Sequence, residues 1–213
     1  MSISAWRGFA ELLRERLAGV VELTPEQIQV LEHHYELLVR WNRSLNLTSI
    51  HSMEEAVERH YCESLFLAIH LPAEAMSIAD IGSGAGFPGI PVAVLRPDCR
   101  ITLIEAHHRK AVFLREASRE MPNVEVLAKR AENVVDVFAG TSSREFDRAI
   151  SRAVGYEHLA KVLKLLASAA DLLTGAEEPP EELCFTWNEP LPLPWGISRF
   201  LRRGFRGVSC GTT

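Results

Sequence analysis

The chain has little of what marks a secreted, membrane-embedded or metal-built protein. Its four cysteines, Cys62, Cys99, Cys184 and Cys210, form no C-x-x-C pair and have no histidine at zinc-ligand spacing. They point to reduced structural thiols rather than a disulfide framework or a metal site. No apolar run approaches the roughly 18 residues needed to cross a bilayer. The amino terminus carries Glu11 and Glu15 among Trp6, Phe9, Leu12 and Leu13 and does not resemble a signal peptide, so a cytoplasmic location with no membrane contact is expected. Net positive charge is lacking as well: the formal charge of −5 argues against a generic nucleic-acid coat. No internal repeat or low-complexity tract is apparent.

What is present is an ordinary globular composition, 47% apolar and 24% charged over 213 residues, enough for one well-buried core with an appendage. Charge is segregated near the carboxyl end. Glu177, Glu178, Glu181 and Glu182 crowd one loop, whereas Arg199, Arg202, Arg203 and Arg206 follow with no acid among them. That basic tail is a candidate RNA-facing patch or an ordinary wet surface.

Residues 1–71 read as a helical cap. Trp6, Phe9, Leu13 and Leu17 recur at helical spacing; Thr24-Pro25-Glu26-Gln27 is a capping box; Ile28, Leu31, Tyr35, Leu38, Trp41 and Leu45 continue one stripe. Ser52 to Glu55 starts a further helix, which Leu71-Pro72 ends. From residue 72 to 213 strands alternate with helices: strands near 77–81, 100–104, 123–127 and 146–151, helices near 89–95, 108–119, 132–138 and 157–170. Such alternation predicts an α/β domain with a mainly parallel sheet covered on both faces. Beyond about residue 175 prolines interrupt the pattern.

The most informative stretch is Ala79 to Gly89, A-D-I-G-S-G-A-G-F-P-G. A short β-compatible run enters a glycine loop that opens a helix, the ligand-binding unit of an open α/β sheet. Phe87 interrupts the dinucleotide pattern G-x-G-x-x-G. Asp80, two residues ahead of Gly82, would add nothing to a pyrophosphate site. A cationic ligand suits it better. Glu105, at the end of the second strand and 23 residues past Gly82, has the spacing of an acid that bonds ribose hydroxyls. A purely structural turn with a solvated glutamate is the alternative.

The D-x-G-x-G-x-G form resembles motif I of the class I S-adenosylmethionine-dependent methyltransferases. Further segments resemble one family, the glucose-inhibited division protein B family of small-subunit ribosomal RNA guanine-N7 methyltransferases. They are Trp41 to Thr48, Glu58 to Leu65, Asp80 to Pro91, Glu105 with Arg109-Lys110 and Phe113-Leu114, Arg130-Ala131-Glu132, and Ile150 to Ala153. The resemblance implies a Rossmann-like class I sheet behind an amino-terminal helical cap. It implies S-adenosyl-L-methionine as cofactor, in a site lined by Gly82, Phe87, Ala131, Glu132 and Arg152; the loop and strand reading adds Gly84 and Glu105 to the cofactor-binding set. It also implies 16S ribosomal RNA, or the small-subunit particle, as partner, with methyl transfer to N7 of one guanine. Two positions depart from the family: Glu63 replaces a usual aspartate, and Thr174-Gly175 stands where a Lys-Gly pair is usual.

N7 of guanine has a lone pair and no proton to lose, so no catalytic acid or base is assigned. Arg152 can border both cofactor and base, since N7 and O6 form the edge arginine reads best; an ion pair to Asp147 or to a helix carboxylate is its structural alternative. His60 is open between a functional role and a satisfied packing histidine; Trp41 is read as core rather than a base-stacking platform, and Asn42 as a cap of the turn that follows. His107 and His108, with Arg109 and Lys110, are solvated or touch RNA phosphate. No metal is expected, and a monomer is favoured. A small-molecule methyltransferase and a ribosome-assembly factor without turnover are the competing functions.

Overall fold

The structure is a computed structural model, described here for residues 8–134 and 146–207. Helices α1 (Phe9–Leu17) and α2 (Pro25–Leu45) come first. The start of α2 is closed by a reciprocal cap: the Thr24 Oγ1 accepts from the Gln27 N–H at 3.2 Å and the Gln27 side chain accepts from the Thr24 N–H at 2.9 Å. Its end is set by Asn46 in the left-handed region, and the Asn42 side chain brackets Thr48 through both backbone groups. A third helical run passes through α3 (Met53–Ala56), a π-helical stretch Val57–Cys62, and α4 (Glu63–Ile69) without a break. The wider π turn lets Val57, His60, Tyr61 and Cys62 all face inward.

The sheet is built from β1 (Ser77–Ile81), β2 (Arg100–Ile104), β3 (Val124–Leu127), β4 (Phe146–Arg152), β5 (Ala167–Thr174), β6 (Phe185–Trp187), β7 (Leu191–Pro192) and β8 (Phe200–Arg206). Helices α5 (Gly89–Leu95), α6 (His108–Ala117) and α7 (Tyr156–Leu166) lie between them. Strand order is β3-β2-β1-β4-β5-β8-β6, with β7 on β8. The first five strands are mutually parallel and β8 runs antiparallel to β5 and β6. Because β2 and β3 extend one way from β1 while β4 and β5 extend the other, the crevice at the carboxyl ends of β1 and β4 is where such a sheet takes ligands.

Alternation along the strands splits the core in two. Ile78, Ile101, Leu103 and Ile150 join the helical residues Leu13, Leu31, Leu65, Ile90 and Phe113 on one face. Ala79, Ile81, Ile104 and Ala149 join Val134, Leu159 and Leu163 on the other. The amino-terminal helices therefore share a core with α5 and α6.

Two expectations need correction. The helix read as 157–170 ends at Leu166, and Ala167–Thr174 is a strand lying between β4 and β8. Its small residues suit a helix by propensity, but pairing on both edges decides the outcome. Cysteine is the second: Cys62 and Cys99 are free, but Cys184 is disulfide-bonded. Spacing along a chain does not report proximity across a fold. Trp6, Cys210 and most of the expected helix near 132–138 lie outside the described residues; Ala131–Val134 are helical.

Candidate cofactor site

The glycine loop is folded over the end of β2. The Gly82 and Ser83 N–H groups both donate to the Ile104 carbonyl, at 2.9 and 3.1 Å. Gly82 has φ +70°, and a β-carbon there would sit 2.6 Å from Val154 Cγ2, so both conformation and space demand glycine. Gly84 donates its N–H to Glu105 Oε2 at 2.9 Å, and His107 donates to Oε1 at 2.7 Å. Glu105 thus ties the loop after β1 to the loop after β2 while keeping lone pairs on both oxygens.

Asp80 lies beneath the loop and is fully buried. Its Oδ2 accepts the Gly89 N–H at 3.0 Å, whereas Oδ1 has no hydrogen-bond partner. Burial pushes its pKa up to about 7, against the lowering effect of the Gly89 N–H. A β-carbon at Gly89 would collide with Asp80 and Leu103, which fixes the start of α5 against the carboxylate.

Beside the loop opens a cleft of about 340 Å³, walled by Ile81, Ile104 and Val162 and rimmed by Lys129, Arg130 and His158. Of the residues expected at the cofactor, Gly82, Ala131 and Glu132 line it directly. Gly84 and Glu105 adjoin it through their mutual hydrogen bond. Phe87 and Arg152 are not part of its wall. The Phe87 ring, 3% exposed, stacks on His60 with centroids 4.5 Å apart and meets His34 and Tyr61 edge-on. The Arg152 guanidinium lies 5.3 Å from the Phe87 centroid and donates to the Arg59 carbonyl at 2.6 Å. The alternative ion pair of Arg152 to Asp147 does not form, because the Asp147 carboxylate takes the Ser77 N–H and hydroxyl. Burial pulls the Arg152 pKa down to about 10, with Glu63 opposing and Arg199 and Arg59 adding to the fall.

Sequence reasoning missed Ala153, Val154, Gly155 and His158, the β4–α7 turn that closes the cleft opposite Lys129 to Glu132. Gly155 at the head of α7 was the available signal. His60 and His34 are buried packing residues. His60 Nε2 pairs with Thr48 Oγ1 at 2.8 Å, and His34 bridges the Tyr61 hydroxyl and the Ala85 carbonyl. Trp41 meets Phe113 edge-on, as a core residue.

The basic tail is largely turned inward. Arg199 forks onto Glu63, Arg203 pairs with Asp171, Arg202 donates to Thr174 Oγ1 and the Ala176 carbonyl, and Arg206 donates to the Lys164 carbonyl. Strand β8 is internal to the sheet, so Arg202 and Arg203 meet Thr174 and Asp171 of β5, while Arg199 and Arg206 reach Glu63 and the Lys164 carbonyl on flanking helices. Other exposed cations are Arg109 in the first turn of α6, beside His107 and His108, and Lys129 and Arg130 in the loop after β3. Among the described residues no group of side chains is arranged to hold a metal ion, and no helix is long and apolar enough to cross a membrane.

Strand order with an antiparallel β8, the glycine loop at the end of β1 and the acid at the end of β2 together define the class I S-adenosylmethionine-dependent methyltransferase fold. Solved structures with this fold include the Methanococcus jannaschii fibrillarin pre-rRNA processing protein, at TM-score 0.56 and 17% identity, matching 68% of this chain and 75% of that one. Aeropyrum pernix fibrillarin, solved with natively bound S-adenosyl-L-methionine, matches at TM-score 0.53 and 16% identity over 67% of this chain and 73% of that one.

Sequence similarity narrows the class. The profile of rRNA small subunit methyltransferase G matches residues 27–174. Proteins of that name from Chromobacterium violaceum and Nitrosococcus oceani are 39% and 37% identical, covering 73% and 66% of this chain and 71% and 67% of their own. The Dichelobacter nodosus protein is 45% identical over 58% of this chain and 60% of its own. The chain belongs to the rRNA small subunit methyltransferase G family.

Proposed function

We propose that this protein transfers a methyl group from S-adenosylmethionine to N7 of a guanine in 16S ribosomal RNA, in the cytoplasm. The observation that carries the reading is the Gly84–Glu105 tie at the mouth of the cleft, with the unpartnered Oδ1 of Asp80 beneath it. That donor set fits the cofactor. Glu105 has lone pairs for ribose hydroxyls, Ile81, Ile104 and Val162 are apolar walls for a flat ring, and a buried carboxylate oxygen suits a ligand carrying an ammonium and a sulfonium.

The cofactor supplies a methyl group made electrophilic by its sulfonium. This chain's residues need only bind and orient. Gly82, Ala131 and Glu132, with Glu105 adjoining, would hold the nucleoside part, while Phe87 and Arg152 sit between the glycine loop and the amino-terminal helices. Guanine N7 has a lone pair and no proton to lose, so the N–C bond would form as the carbon–sulfur bond breaks, with the electron pair leaving on a neutral thioether; the task left to the chain is alignment, worth on the order of 7–11 kcal/mol for well-oriented reactants. Helices α1 to α4 serve as a cap over that edge.

The deciding experiment is transfer of tritiated methyl to 16S RNA and to small-subunit particles lacking the modification, with mapping of the labelled base. Label on N7 of a single guanine is expected. Label only on free metabolites would establish a small-molecule enzyme, and cofactor binding without transfer an assembly factor.

A further inference from the structure

Three guanidinium groups gather around one buried carboxylate at the carboxyl edge of the sheet, beside the cofactor cleft. Glu63 is fully buried on α4 and receives a two-point fork from Arg199, Nε to Oε1 at 3.1 Å and Nη2 to Oε2 at 2.6 Å. Arg59 Nε lies 3.4 Å from the same Oε1, outside hydrogen-bond geometry, and is itself buried with no acceptor. Arg152 completes the group through its hydrogen bond to the Arg59 carbonyl.

The topology explains why they meet. Arg152 is the last residue of β4; Arg199 directly precedes β8, where Phe200 pairs with Thr174 at the carboxyl end of β5; Arg59 comes in from the π-helical stretch above. Charge around Glu63 does not balance. Both its oxygens are taken by Arg199, leaving Arg59 with an incomplete partner and Arg152 with a carbonyl only. Glu58 is engaged by Arg16 at 2.7 Å, and Asp80, nearer Arg152, is pushed up to about 7 by burial. Crowding shows in Arg152, whose pKa falls through burial and then through Arg199 and Arg59. Exposure is graded as well: the Arg59 side chain is 38% exposed and that of Arg199 19%, over a Glu63 at 0%. Solvent therefore meets cations with the anion underneath, and no residue of this group lines the cleft.

We propose that the outer faces of Arg59 and Arg199 seat a backbone phosphodiester of the RNA substrate, next to the nucleotide presented at the β4 edge. Planar forks match the paired non-bridging oxygens of a phosphodiester, and a monoanion corrects the surplus charge. Glu63 acts as a positioning residue that holds the Arg199 fork in place. This site rests on the RNA reading above but concerns binding rather than the atom methylated.

The test is the salt dependence of binding to unmodified small-subunit particles, measured apart from turnover, with KM for the particle alongside. Arg59→Gln is expected to raise KM about tenfold and to lower the slope of log K against log salt by roughly 0.7–0.9, the value for one phosphate. S-adenosylmethionine affinity by calorimetry should stay at the wild-type value. Arg59→Lys keeps the charge and should restore the slope while KM remains raised; it also carries the comparison if the glutamine variant folds poorly. A wild-type slope and KM in Arg59→Gln would overturn the site. So would weakened cofactor binding with unchanged RNA binding, which would assign the cluster to the cofactor carboxylate. Wild-type protein that binds no particle would refute the RNA reading itself, a result distinct from either.

Discussion

Glu105 Oε2 accepts the Gly84 N–H at 2.9 Å, so the acid at the end of β2 is part of the glycine loop's own scaffold. Its other oxygen holds the His107 N–H. A group expected to touch only ligand therefore also sets the shape of the loop, and changes at Glu105 act through two routes.

Glu105→Gln is expected to weaken S-adenosylmethionine binding by more than the roughly 1 kcal/mol of one charge-assisted hydrogen bond, because an amide can accept on one side only and must release Gly84 or His107. Calorimetry should show at least a tenfold loss. Gly82→Val should abolish binding while the chain stays folded, since the loop is partly open to solvent and strain at φ +70° costs only about 1–3 kcal/mol. Wild-type affinity in either variant would remove the loop from the cofactor site.

Cofactor affinity should rise with pH. Asp80, at about 7 through burial, holds a proton below neutrality, and a cationic ligand favours its ionised form. Binding below pH 7 thus releases a proton, and affinity climbs from about pH 6 to 8 before levelling. Asp80→Asn should bind more weakly with a flat profile. A sloping profile in that variant would mean another group titrates.

Acid stability should be governed by two buried histidines. Burial lowers His34 to about 4 and His60 to about 2, the latter aided by Arg152. Both are neutral when folded but charge when unfolded, so the unfolded state binds more protons below about pH 6.5. Their stabilisation is present above that pH and is lost as pH falls, by about 1.4 kcal/mol per pH unit for each proton. Asp80 runs the other way: raised when folded, it stabilises at low pH and loses that contribution between its ordinary 3.8 and about 7. Two protons outweigh one. Urea midpoints should rise from pH 4.5 to 6.5, and His60→Gln should flatten the rise. An unchanged slope in that variant would contradict the assignment.

The β8 arginines Arg202 and Arg203 should report on stability rather than on RNA. Asp171, 1% exposed, is clasped by Arg148 and Arg203. Asp171→Ala leaves a buried cation uncompensated and is expected to cost about 3–5 kcal/mol, a fall of ~10 °C in Tm. Arg202→Ala with Arg203→Ala should also lower Tm while leaving the salt slope of RNA binding as in wild type. A flattened slope with normal Tm would return these residues to the RNA surface.

Much of this was legible in the residues because local chemistry specified it. Thr24 and Gln27 announce their cap, and the sequence from Asp80 to Gly89 announces strand, loop and helix, since positive φ and close backbone approach leave only glycine. The missing parts were those decided by tertiary pairing. Ala167 to Thr174 carries a helix former's composition and becomes a strand because β4 and β8 flank it. Arg199, Arg202 and Arg203 form an acid-free run in sequence, yet their partners Glu63, Thr174 and Asp171 lie 136, 28 and 32 residues away. Phe87 belongs to the loop motif, but its ring is held among His60, Tyr61 and Arg152 on elements that a linear motif does not name.

The place of β8 has a consequence for the order in which the protein can be made. Strand β5 is bordered by β4, translated before it, and by β8, translated about thirty residues later. Until Phe200 to Arg206 has left the ribosome, β5 presents an open edge, Asp171 has Arg148 alone, and Glu63 lacks its Arg199 fork. The nascent sheet thus passes through an interval with an unpaired apolar edge, the state most prone to pairing with another chain. Closure of that edge and completion of the arginine cluster occur in the same late event.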